Sequence, residues 1–181
     1  MVGVKNKKNS QEGFTLIELI LYVSIVSIIT TSLILFGVKI VEENNKNRTE
    51  QEVYAAARYL SERIKYEIHN ANSINIASSD FDLNLATNPG KKLSLAQTAP
   101  NDPTIIDVSG GKARITQGAG SALNLNSTET TVTNLTFTNY TSGDGKTENV
   151  ALALTVNSSL VGSHEYTESV TVRSTAEVRS N

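Results

Sequence analysis

The sequence predicts an α+β protein: a long N-terminal helix packed on a C-terminal antiparallel β-sheet head. The first half of that helix is expected to be membrane-embedded and the second amphipathic. Three observations predict this. Residues 14–38 are apolar with a single charged side chain, Glu18. Val53, Ala57, Leu60, Ile64, Ile68 and Ala71 recur at spacings of four and three, one stripe of a helix. Beyond Ala71 the composition turns to Thr, Ser, Asn, Val and Leu, and all 3 prolines (Pro89, Pro100, Pro103) fall between 89 and 103, as in strands joined by loops.

The apolar stretch is the most informative. At 1.5 Å per residue it makes about 37 Å of helix, enough to cross a hydrocarbon core of roughly 30 Å with some tilt. A carboxylate inside such a segment is costly and needs a partner and a purpose. A cleaved secretory signal would have a shorter apolar core ending in small residues. Here the glycine, Gly13, precedes the core. An ordinary membrane anchor shares the length but has no use for a glutamate just inside the membrane edge. Lys5, Lys7 and Lys8 precede the span, so the positive-inside tendency holds the N-terminus in the cytoplasm and sends everything after Lys39 across the membrane.

A basic, polar leader ending in Gly13, then Phe14-Thr15-Leu16-Ile17-Glu18 and an unbroken apolar run, resembles the processing and assembly signal of type IV pilins and type II secretion pseudopilins. The resemblance implies cleavage between Gly13 and Phe14 by a membrane-embedded prepilin peptidase, and methylation of the new Phe14 amine. It also implies that Glu18 pairs with the N-terminus of a neighbouring subunit in a filament. Implied partners are other pilin or pseudopilin subunits, the peptidase, an inner-membrane assembly platform and membrane lipid. The expected product is a single-pass cytoplasmic membrane protein, head outside, that then joins an extracytoplasmic filament. Many family members carry a proline in the span, at the place of Leu35 here, and many close a C-terminal loop with a disulfide. This chain has neither, since it contains no cysteine.

The expected organisation is therefore a leader over 1–13, an assembly helix over 14–38, its amphipathic continuation over 39–72 and a β-rich head over 73–181. Removing the leader takes Lys+Arg from 16 to 13 and Asp+Glu from 18 to 17, a balance of about −4. That argues against nucleic-acid binding through bulk charge. Within the span, Ser24, Ser27, Thr30, Thr31 and Ser32 either let neighbouring helices pack closely or bond back to their own helix. One helix is expected from Phe14 to about Asn70, roughly 85 Å if straight, with Asn44-Asn45-Lys46-Asn47 its fraying point. Glu43, Glu50, Glu62, Arg63, Lys65 and Glu67 fill polar positions off or beside the apolar stripe. Arg58–Glu62 and Glu62–Lys65 have the spacing of weak helical pairs.

Strands are expected at 73–77, 92–97, 105–108, 112–117 and 122–126, then three longer ones. Gly110-Gly111 is the turn of a tight hairpin. Val132, Leu135 and Phe137 mark the first long strand. Val150, Leu152, Leu154 and Val156 alternate strictly in the second, so one face is buried. The last runs over 166–178 with Val170 and Val172 on one face. The single sheet so formed is expected to lie on the helical stripe. The long 75–130 region and the Val132–Phe137 and Val170–Arg173 segments resemble minor pilins or minor pseudopilins.

Other chemistry is sparse, and no enzymatic activity or required cofactor is expected. His69 and His164 form no zinc-ligand cluster. Gly118-Ala119-Gly120-Ser121-Ala122 lacks the Gly-x-Ser-x-Gly pattern of a nucleophile elbow. Asp144 and Glu148 are weak calcium candidates, set against a plain hairpin turn at 142–146. Asn126, Asn134, Asn139 and Asn157 match glycosylation acceptors, a match that arises easily in a chain so rich in Ser and Thr. The contrasting functional class is a tethered exported binding or enzymatic domain that joins no filament.

Overall fold

In a computed structural model, residues 13–143, 147–159 and 168–179 are described. The chain divides into two compact units, Met1–Asn44 and Asn45–Asn181. Helix α1 runs Leu16–His69, 54 residues, and contributes to both. It is helical throughout Asn44–Asn47, where fraying was expected, and the boundary between the units falls there.

The first unit is bare helix. Its 18-residue apolar window has a mean hydropathy of 2.4 and none of it is buried. Ser24, Ser27, Thr30, Thr31 and Ser32 each donate their hydroxyl to the carbonyl four residues back, at 2.7–2.9 Å. Back-bonding is thus the arrangement adopted, which leaves no hydroxyl proton unsatisfied in an apolar environment.

In the second unit, Val53, Ala57, Leu60, Ile64 and Ile68 line one face of α1 and are all essentially inaccessible. They pack in one apolar cluster with side chains of two antiparallel sheets. The single sheet expected is in fact split. β1 (Ser73–Ile74), β2 (Lys92–Ala96), β3 (Thr104–Ser109), β4 (Lys112–Gln117) and β5 (Leu123–Asn124) form a five-stranded sheet in sequence order. β6 (Thr130–Asn139), β7 (Asn149–Ser158) and β8 (Ser169–Glu177) form a three-stranded one. The first strand is shorter than expected because a 3-10 turn takes over at Ile76–Ser78.

Alternation positions the core. Val150, Leu152, Leu154 and Val156 of β7 all face inward. In β6 the register slips between Val132 and Asn134, a bulge that brings Val132 and Leu135, three apart, onto the same buried face. Asn84 pins this bulge: its amide donates to the Thr133 carbonyl (3.0 Å), and its oxygen accepts the Leu135 (3.1 Å) and Ala86 (2.9 Å) N–H groups. The β3–β4 hairpin turns at Gly110-Gly111, both at positive φ, as the sequence predicts. Across it, Arg114 clasps Asp107 with two bonds of 2.8 and 2.6 Å. That bond raises the guanidinium pKa further above its ordinary value.

Candidate functional site

The candidate site is the start of α1. Gly13, Phe14 and Thr15 precede the helix, and Thr15 caps it. The Thr15 carbonyl accepts the N–H groups of Glu18 (3.1 Å) and Leu19 (3.2 Å), and its hydroxyl oxygen lies 3.4 Å from the Glu18 nitrogen. Thr-x-x-Glu has the spacing of a capping box, of which only the Thr15 half is made here; that hydroxyl is a local reason for the first turn to form that the sequence reading did not use. Glu18 in that turn also lies at the positive end of the helix dipole.

Gly13 has no structural duty. A Cβ added there meets nothing within 4 Å, and its φ is not in the left-handed region. Phe14 is 74% exposed, its ring 6.0 Å from that of Tyr22 and tilted by 57°. Glu18 is exposed among exposed apolar side chains, Leu16, Ile17, Leu19, Ile20 and Leu21. Among the described residues its carboxylate has no ion-pair or hydrogen-bond partner. The segment therefore presents one carboxylate in an otherwise apolar, uncovered helix.

The other sequence candidates are engaged elsewhere or not described. The Glu148 carboxylate accepts the Ile74 N–H at 2.6 Å, tying β1 to the chain ahead of β7. Asp144 and His164 lie outside the described residues, and among the described residues no group of three His, Cys, Asp or Glu could hold a metal. His69 Nδ1 is 2.6 Å from the Glu177 carbonyl oxygen and so carries the proton on that nitrogen, joining the end of α1 to β8. Asn126 is buried: its oxygen accepts the Ala113 N–H (2.9 Å) and its amide donates to the Thr130 carbonyl (2.8 Å). It is a structural clamp in the folded head rather than an available glycosylation acceptor. Glu62 pairs with Lys65 at 2.7 Å, and that bond draws its pKa down.

One of the polar positions read as off or beside the stripe is buried, which the sequence reading did not anticipate. Glu67 is 2% exposed, beside the apolar stripe rather than on a solvated face. Its carboxylate takes Arg63 at 2.6 Å, the Gln97 amide at 2.9 Å and the Gln117 amide at 3.3–3.4 Å. The i,i+4 spacing of Arg63 and Glu67 was a visible signal. Gln97, just past β2, and Gln117, at the end of β4, lie far along the chain and gave none.

Residues 8–34 match the family model of the prokaryotic N-terminal methylation motif. No curated protein and no solved structure matches the chain. The matched motif covers Gly13, Phe14 and Glu18, and the α1 stripe packs on antiparallel sheets as in a pilin-like α+β protein. Residues 8–34 thus carry the N-terminal methylation motif of type IV pilin-like and pseudopilin precursors.

Proposed function

We propose that this protein is a structural subunit, of minor pilin or minor pseudopilin type, of a type IV pilus-like or type II secretion filament. Prepilin peptidase cuts between Gly13 and Phe14 and the Phe14 amine is methylated. The observation that carries the reading is Glu18: a carboxylate without a described partner, set in bare apolar helix just after a glycine the fold does not require. In lipid, both that carboxylate and the Phe14 ammonium of an adjacent subunit are poorly solvated. Pairing relieves a penalty on each, and the uncovered apolar faces then bundle. The five-stranded sheet built by 73–124, beside the three-stranded one, supports a minor rather than a compact major subunit.

The test is the mass of the chain recovered from cells with an active prepilin peptidase. The expected N-terminus is methylated Phe14, lost in Gly13→Ala. Glu18→Val is expected to be processed normally and to be depleted from sheared or detergent-resistant filaments. A chain that keeps its first thirteen residues in such cells would refute the reading and leave a tethered exported domain. Normal filament incorporation of Glu18→Val would refute the pairing role.

A further inference from the structure

The head contains a cup that the assembly role does not use. It opens between the last turns of α1, the 97–101 segment and the end of β4, with a volume of about 350 Å³. Its lining includes Arg63, Tyr66, Glu67, Gln97, Asn101 and Gln117. Pockets for small ligands are mostly apolar, with a few polar groups to orient the guest. This one reverses the proportion, so an apolar guest gains little there.

The charges cancel within the wall. Arg63 and Glu67 are bonded to each other at 2.6 Å, which leaves neither a free cation for an anionic guest nor a free carboxylate for a metal. That pair instead holds the amides in place. Gln97 and Gln117 both direct their Nε2 groups at Glu67, which leaves each Oε1 without a partner among the described residues. The Asn101 side chain also has no partner among them, while its backbone is fixed through Thr98 and Thr104. At the rim, Tyr66 is 59% exposed and its ring is steadied by the Arg63 guanidinium at 5.5 Å from the centroid.

The geometry points to a ligand site for a neutral, polyhydroxylated molecule the size of one or two sugar rings. A hydroxyl both donates and accepts, so neighbouring hydroxyls satisfy the fixed amide acceptors and the Asn101 amide together. A flat sugar face also suits an exposed tyrosine ring, which is apolar in body and polar at its tip. Uncharged hydroxyls leave the Arg63–Glu67 pair undisturbed.

The test uses the full mature chain, isotope-labelled and held in an amine-oxide detergent, because maltoside or glucoside detergents would compete. Glucose, galactose, mannose and N-acetylglucosamine are titrated in turn while the side-chain amide signals of Gln97, Gln117 and Asn101 are followed by NMR. Sodium sulfate and choline serve as charged probes. At least one sugar is expected to shift those signals saturably, and Asn101→Ala and Tyr66→Ala are each expected to weaken its binding by about tenfold, or 1.4 kcal/mol. Asn101→Ala removes no described side-chain hydrogen bond, so a folding defect is not built into the test. Thr175→Ala, on β8, should change nothing. The proposal is overturned if none of the four sugars shifts the amides, if sulfate or choline alone does, or if both cup variants bind as wild type. N-terminal processing can be normal in any of these outcomes, so failure here is distinct from failure of the assembly role.

Discussion

Glu67→Ala tests whether the buried carboxylate ties α1 to the five-stranded sheet. In the wild type, Glu67 is 2% exposed and joins Arg63 on its own helix to Gln97, just past β2, and Gln117, at the end of β4. Removing one member of a buried charged pair costs about 3–5 kcal/mol when the other is left stranded. Here the Arg63 side chain keeps 31% of its exposure and can rehydrate, which takes the estimate towards the low end. The two glutamine amides lose a charged acceptor but are themselves only half-buried. A net loss of about 2–3 kcal/mol follows. Glu67→Gln keeps the shape and loses only charge assistance, about 1 kcal/mol. The assay is thermal unfolding of the full chain in micelles, followed by near-ultraviolet circular dichroism. At about 3–5 °C per kcal/mol for a head of this size, Glu67→Ala should melt roughly 6–15 °C lower. Arg63→Ala combined with Glu67→Ala should cost about 1 kcal/mol less than the two separate changes added together. Wild-type melting of Glu67→Ala, or strict additivity with Arg63→Ala, would refute the reasoning.

Two further predictions concern the head. Gly118 has φ +53° and a Cβ there would sit 2.0 Å from the Pro100 carbonyl oxygen, whereas Gly90, at φ +84°, has nothing within 4 Å. Gly90→Ala should therefore cost only the left-handed strain of about 1–2 kcal/mol, and Gly118→Ala distinctly more; equal melting temperatures would contradict this. The Glu52 pKa is raised by burial, then by its hydrogen bond with Glu129 and that residue's charge, against weaker opposing effects of Ser127 and Arg48. A raised folded pKa contributes stability fully below the ordinary value of 4.5, and that contribution is lost as pH rises through the folded value. Glu52→Gln should thus melt above wild type at pH 7, and the gap should close as the pH falls below 4.5. A gap that widens towards acid would reverse the sign.

Much of the plan is local and so was legible in one dimension. The bare apolar run, Gly13-Phe14 and Glu18 need no partner within the chain to be recognised, because their chemistry is set by length, polarity and spacing. The 53–68 stripe and the alternation of Val150 to Val156 follow from the helical and strand periods alone. What escaped the sequence depends on pairings between distant segments. The division into two sheets rests on β5 ending against β4 while β6 starts a new ladder with β7. The bulge at Thr133 is held by Asn84, about fifty positions away. Glu67 is polar in the linear pattern, yet only tertiary structure brings Gln97 and Gln117 to it and makes burial of a carboxylate tolerable. The sequence by itself determined the membrane-length helix, its lone carboxylate and the strand-forming head. Tertiary structure alone decided which polar side chains lie inside, because a buried charge is set by the partners that fold around it.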